Sequence, residues 1–367
     1  MAKMSYRDAG VNYDVLDGFK RACQKLAGQT GSSLGSRGMA EVPAMRGESA
    51  FLIETPTEYL AHVEEALGTK VLVADAMYQL TGQSYYANVA IDDVSTIVND
   101  LVTCGALPVS VAMYTAVGDG DYLADARRPD DLARGFAEGC RLSGAAWGGG
   151  ETQMLKGMVT PGTAILGGSA IGRIAPKSLR IAGDVRDGDV IIGLASSGVQ
   201  TNGLTLCRSL TDRLAKGYLT PLSDGRPYGQ ALLDPSVIYV NFVAACQAAS
   251  LPLHYTVHMT GHGWRKLMRL ESPLVYRISR VSKPQPVFDC IVAAAGLDAR
   301  EAYGTFNMGC GFAAYVAAAD AKRCLDIAAA AGYTAWQAGR VCDEGGRKAV
   351  ILEPIDVTYE ADSLKIR

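Results

Sequence analysis

Apolar positions along the chain fall into two kinds of run. KVLVAD (70–75), GALPVSVAMYTAV (105–117) and DVIIGLASSG (189–198) are short, rich in β-branched residues and bounded by glycine or charge, the pattern of half-buried or buried strands. Between them the spacing turns helical. Ile91, Val94, Ile97, Val98 and Leu101 lie on one stripe of IDDVSTIVNDLVTCGA, and LARGFAEGCRLSGAAW reads as a helix stopped by Gly144. Charge and turn residues crowd APKSLRIAGDVRDGD (175–189), so the chain is divided there into domains 1–178 and 179–367. After it the pattern restarts: a strand ending in SSGVQTNG, a helix from Leu204, a helical stretch near ALLDPSVIYVNFVAACQAA, and a glycine-rich HMTGHGW before RKLMRL. GQTGSSLGSRGMA (28–40) has the composition of a flexible linker, with a flap over polyphosphate as the alternative.

Polar residues at fixed places within this pattern carry the candidate chemistry. On the helix expected to begin near Asp92, residues seven apart share a face, so Asp92 and Asn99 point the same way with Thr96 between them. Oxygen ligands of that kind suit magnesium, which takes a few carboxylates together with water and substrate phosphates; the plainer reading is an N-cap followed by a solvated Asp100. LGTK (67–70) and WGGGET (147–152) each put glycine, a threonine hydroxyl and a charged side chain into a turn, an arrangement that aims amides and a lysine at phosphate oxygens. No P-loop and no dinucleotide fingerprint is present. His258 and His262 stand four apart, but Gly261 argues against a helix and no third ligand lies nearby, so the amides of Gly261 and Gly263 are read as a phosphate site rather than the imidazoles as a zinc site.

Composition narrows the setting. Hydrophobic residues at 49% against 20% charged exclude wholesale disorder, and a net charge of -3 gives no footprint for nucleic acid or an anionic membrane. Nine scattered cysteines with no C-x-x-C spacing fit reduced thiols. No apolar leader and no long apolar run occurs, so neither secretion nor membrane spanning is expected and a cytoplasmic location is.

In order along the chain, SYRDAGVN (5–12), LGTK, AIDDVSTIVNDL (90–101), GALP (105–108), EGC (138–140), GGET (149–152), DGDVIIGLASSG (187–198), TNGLTL (201–206), HMTGHG (258–263) and FNMGCG (306–311) resemble the phosphoribosylformylglycinamidine cyclo-ligase, or aminoimidazole ribonucleotide synthetase, family. The resemblance implies an α/β (α+β) protein of two domains. The N-terminal domain would be β-rich and pair across a homodimer, the C-terminal one α/β, with ATP, Mg2+ and a ribonucleotide-type substrate in a cleft. It implies an ATP-dependent ligase in which Lys70, Glu151 and Gln200 are catalytic and Glu65, Asp92 and Glu151 hold the metal. Gly68, Thr69, Lys70, Asn99, Asp100, Gly149, Gly150 and Thr152 would contact the nucleotide, and Ser197, Gly198, Asn202, Gly261, His262 and Gly263 the substrate. Departures gather at the substrate positions. Glu64-Glu65-Ala66 stands for T-D-G, Gln200 for a histidine, and His262 interrupts a glycine triplet. Another ATP-dependent enzyme on the same scaffold, or a silent nucleotide-binding protein, is the alternative.

Overall fold

The computed structural model describes residues 4, 8–10 and 13–364; most of the SYRDAGVN motif lies outside the described residues. In chain order the elements are α1 (Tyr13–Ala27), β1 (Ala40–Glu41), β2 (Phe51–Glu54), β3 (Tyr59–Ala66), α2 (Lys70–Thr81), α3 (Tyr86–Val102), β4 (Leu107–Val117), α4 (Asp121–Ala124), α5 (Arg127–Ser143), β5 (Ala146–Met154) and β6 (Ala164–Ile174). There follow β7 (Val190–Ala195), α6 (Leu204–Ser209), α7 (Tyr228–Leu232), α8 (Val240–Ala248), β8 (Tyr255–His258), β9 (Val275–Ile278), α9 (Pro286–Ala295), α10 (Ala299–Thr305), β10 (Cys310–Val316), α11 (Ala321–Ala330), β11 (Ala335–Cys342), β12 (Ala349–Leu352) and β13 (Val357–Glu360).

The strands form two sheets. The first has order β1-β2-β3-β6-β4-β5 and the second β13-β12-β9-β11-β7-β10-β8. Among the described strands, only β4–β5 and β9–β12 run parallel. α3 lies on the first sheet, burying Val89, Val94, Ile97, Val98 and Leu101, and α5 covers its other side. The opposite face of that sheet leaves Val109, Ile165 and Ile171 open to solvent. One apolar core runs on from Leu52 and Val63 to Ile191, Phe312 and Leu352 in the second sheet.

Three sequence expectations change. KVLVAD is the start of α2, not a strand; Val71, Val73, Ala74 and Met77 are buried nearly all round, and a short run with no exposed face carries no period that separates helix from strand. α3 begins at Tyr86, so Asp92 is not an N-cap but sits two turns inside the helix. The segment expected to be a flexible linker forms a 3-10 helix over Gly28–Arg37.

Candidate active site

A cleft of about 300 Å³ opens where the two sheets meet. Glu65 at the end of β3 and Thr96 and Asp100 on α3 form one wall. Opposite stand Thr260, Gly261 and His262, followed by Lys266 and Arg269. Asn202 and, from α1, Asp17, Lys20 and Gln24 complete the lining. β3 ends and α3 passes beneath it because the two pack together through Val63 and the apolar stripe, which leaves Thr96 and Asp100 on the face turned to the cleft.

Opposed charges set the electrostatics. Glu65 is open to solvent through the cleft mouth yet ringed by protein; that crowding, then the charge of Asp100, raises its carboxyl to about 7 against the pull of Lys266 and Lys20. Burial acts to raise Asp100 too, but His258 Nδ1 at 2.7 Å from Oδ1, with Lys266 and Arg269 near, holds it below the ordinary aspartate value. Burial lowers His258 in turn, so the neutral imidazole donates Nδ1–H to the carboxylate. Lys266 is brought down to about 8 by burial, opposed by Asp100 and Glu65, and its Nζ donates to His258 O at 3.2 Å and to Thr260 Oγ1. Burial, then the cations Arg265, Lys266, Lys20 and Arg269, lowers His262 to about 3, and this imidazole is neutral at physiological pH. Arg269 is braced by Gly47 O at 2.7 Å and Ser49 Oγ at 2.9 Å.

Of the residues singled out in the sequence, Glu65, Asp100, Asn202, Gly261 and His262 line this cleft. None of the three expected to be catalytic does. Lys70 is fully buried, its Nζ 2.6 Å from Asp92 Oδ2 and 3.0 Å from both Gln200 O and Asp234 O. Asp92 Oδ1 accepts from Ser236 N at 2.8 Å, and Asn99 bonds Val237 O and Tyr239 N, each at 2.8 Å. The shared face of Asp92 and Asn99 is therefore real, but it meets the 234–239 segment and not open solvent. Asp92 is correspondingly closed to a metal ion in this conformation. Gln200 turns inward to Tyr239 Oη at 3.2 Å. Gly68 and Thr69 lie at the start of α2, where Thr69 Oγ1 meets Thr205 Oγ1 at 3.3 Å. Ser197 and Gly198 stay behind the loop, Gly198 O accepting from Asn307 at 2.9 Å, and Gly263 is packed beneath Tyr303.

Gly149, Gly150, Glu151 and Thr152 lie on β5, an exposed edge strand, in a shallow depression with Met113 and Trp147. The glycine run has a local cause. A Cβ on Gly148 would stand 2.1 Å from Ser110 Oγ and one on Gly150 2.2 Å from Met113 O, so bare backbone lets β5 close on β4 beside the bulge at Val111/Ala112.

Asp17, Lys20, Gln24, Lys266 and Arg269 are cleft residues that the sequence reading passed over. Lys266 and Arg269 stand three apart directly after GHG, a signal overlooked in favour of the glycine amides. Asp17, Lys20 and Gln24 repeat at i, i+3, i+7, but a search for apolar stripes does not see a helix whose inward face is polar.

Family models for AIR synthase related proteins match the chain twice, the N-terminal domain over 47–174 and the C-terminal domain over 186–351. A phosphoribosylformylglycinamidine cyclo-ligase of Albidiferax ferrireducens is 33% identical over 95% of this chain and 97% of its own length. That of Methanothermobacter thermautotrophicus is 32% identical over 93% and 95%. Among solved structures, the hydrogenase maturation protein HypE in complex with ATP superposes with a TM-score of 0.58 at 16% identity, covering 84% of this chain and 87% of that one. AaThiL complexed with AMPPCP and TMP gives 0.57 at 13%, covering 86% and 91%. The structures share the fold; the sequence relatives, alike over nearly the whole chain, show that this protein belongs to the phosphoribosylformylglycinamidine cyclo-ligase family.

Proposed function

We infer that the protein is an ATP-dependent cyclo-ligase that closes the imidazole ring of formylglycinamidine ribonucleotide to give aminoimidazole ribonucleotide in purine biosynthesis. The observation that carries this is the near-full-length likeness to cyclo-ligases at 33% identity. In the reaction the amide oxygen takes the γ-phosphoryl group of ATP, the neighbouring amine attacks the activated carbon with loss of a proton, and phosphate leaves. Such chemistry depends on positioning and charge neutralisation more than on a strong base. Lys20, Lys266 and Arg269 supply positive charge for phosphate oxygens, and Asn202, Gly261 and the neutral His262 supply hydrogen bonds to the acceptor.

Among the described residues no group of three or more His, Cys, Asp or Glu side chains is arranged to hold a metal ion. Glu65 and Asp100 nonetheless fit magnesium, which binds through one or two carboxylates plus substrate phosphates, and the charge of Asp100 that raises Glu65 is what a cation would relieve. Bound there, magnesium would neutralise developing phosphate charge. Lys70, Asp92, Asn99 and Gln200 serve the site by fixing α2 and α3 against the loops that frame it, with the domains divided at 178/179. Glu151, with Gly149, Gly150 and Thr152, reaches a nucleotide only in a homodimer, which the open apolar residues Val109, Trp147, Met154, Ile165 and Ile171 of the first sheet favour. Among the described residues no helix is long and apolar enough to cross a membrane, and we assign the enzyme to the cytoplasm.

Purified protein given formylglycinamidine ribonucleotide, ATP and magnesium should release ADP and aminoimidazole ribonucleotide in equal amounts. ADP release confined to some other acceptor would move the chain to another activity on this scaffold.

A further inference from the structure

α1 packs the reverse way round for a surface helix. Its residues at i, i+3 and i+7, Asp17, Lys20 and Gln24, face the cleft, while Val15, Phe19 and Leu26 are 67%, 71% and 63% exposed on the outside. Burial of apolar area therefore does not explain why α1 lies where it does. Asp17 is 9% exposed, lines the cleft, and has no hydrogen-bond or ion-pair partner among the described residues. Its carboxylate therefore faces the cleft with both oxygens available to a ligand group that donates to them. Lys20 on the same face, with Lys266 and Arg269 across the cleft, disfavours a cationic group there and favours an anion beside it. Neutral donors next to a phosphate describe the hydroxyls of a phosphorylated ribose, and a carboxylate accepting from ribose hydroxyls is an established mode of recognition on other folds.

We propose that α1 is a ligand-binding strap in which Asp17 accepts hydrogen bonds from ribose hydroxyls and Lys20 meets the adjoining phosphate. The inference rests on the reading above only for the presence of ribonucleotides in the cleft. Both the nucleotide and the acceptor carry a phosphorylated ribose, so the test has two arms.

Titration calorimetry on the whole protein compares ATP with 2′-deoxy-ATP, and ribose 5-phosphate with 2-deoxyribose 5-phosphate. One pair should show a preference of about tenfold for the ribo member, the worth of a hydrogen bond to a charged group, and the pair that shows it identifies which ligand lies under α1. Asp17→Ala should abolish that preference and leave the deoxy member's affinity unchanged. Asp17→Asn, still able to bond a hydroxyl, should keep part of it. Because Asp17 sits on a surface helix outside the core, both variants should melt with the wild type. Absence of any ribo preference in the wild type, or its survival in Asp17→Ala, overturns the proposal. A ribo preference lost in Asp17→Ala without cyclo-ligase turnover would sink the proposed reaction and leave the strap standing; turnover with no such preference would do the reverse.

Discussion

Glu65 and Lys266 face one cleft with proton affinities brought close together, at about 7 and about 8, so the charge of the cleft changes near neutral pH. Above pH 8 Lys266 sheds its proton, and with it goes one of the cations proposed to meet phosphate. ATP affinity should therefore fall as pH rises from 7 to 9, and Lys266→Arg, whose guanidinium stays charged, should flatten that dependence in equilibrium binding. A pH profile unchanged by the substitution would remove Lys266 from the phosphate site. Asp93 presents the opposite problem. It is fully buried, neither carboxylate oxygen has a hydrogen-bond partner, and burial, then the charge of Asp92, holds its pKa well above the ordinary value. A carboxyl raised on folding binds more protons in the folded than in the unfolded state, so its contribution to stability declines as pH climbs above the unfolded value. Asp93→Leu, which keeps the branching and replaces both oxygens with methyl groups, should stabilise the protein at pH 7 by about 1–3 kcal/mol, read from urea unfolding. Lower stability would mean that Asp93 has a partner the described residues do not include. Glu65, Asp100, Asn202, Gly261 and His262 stand out in the sequence because motif order marks their segments, and all five line the cleft. The sequence reads Lys70 and Asp92 as phosphate and metal ligands, whereas in the structure they pair with each other in the buried junction; helical spacing tells which residues share a face and is silent on what the face meets.

β4 and α5 keep an open face and appear where the pattern puts them. β7 is buried along its length and α3 almost all round, and they are found from a β-branched run and an apolar stripe, α3 starting at Tyr86 rather than near Asp92. α2 was misread because KVLVAD is short and enclosed and shows no stripe, and 28–37 because glycine and serine describe a linker. β5 shows how an element can look chemical for a structural reason. Its glycines permit close strand contact, and they do so unequally: Gly149 has φ +140° and open space at the Cβ position, whereas Gly150 faces Met113 O. Gly150→Ala should lower stability by about 1–3 kcal/mol through backbone displacement. Chemical denaturation of the two variants should rank Gly150→Ala as no milder than Gly149→Ala, whose loss is backbone strain of about 1 kcal/mol. The reverse order would show that β5 shifts freely on β4, and that the triplet is kept for something outside this chain's own packing.

At the scale of the whole molecule, the two halves are joined by polar groups buried between them. Lys70 and Asp92 in the first half reach Gln200, Asp234 and Ser236 in the second, and Asn99 grips Val237 and Tyr239. The cleft lies beside this junction, with Thr201 and Asn202 of its lining next to Gln200. A buried ion pair broken on one side leaves a charge without compensation and is expected to lose about 3–5 kcal/mol. Asp92→Asn should thus destabilise the protein strongly, since the amide still bonds Ser236 but no longer neutralises Lys70. Replacing both partners, as in Lys70→Met with Asp92→Leu, removes the stranded charge and should recover much of that loss. It cannot recover all of it, because the carbonyls of Gln200 and Asp234 then lose their donor. Scanning calorimetry separates these cases. Wild type should unfold in one transition, Asp92→Asn at a markedly lower temperature, and the double variant between them. If Asp92→Asn melts with the wild type yet loses ATP turnover, Asp92 acts on the ligand rather than on the junction, and the closed geometry around Lys70 must open for catalysis.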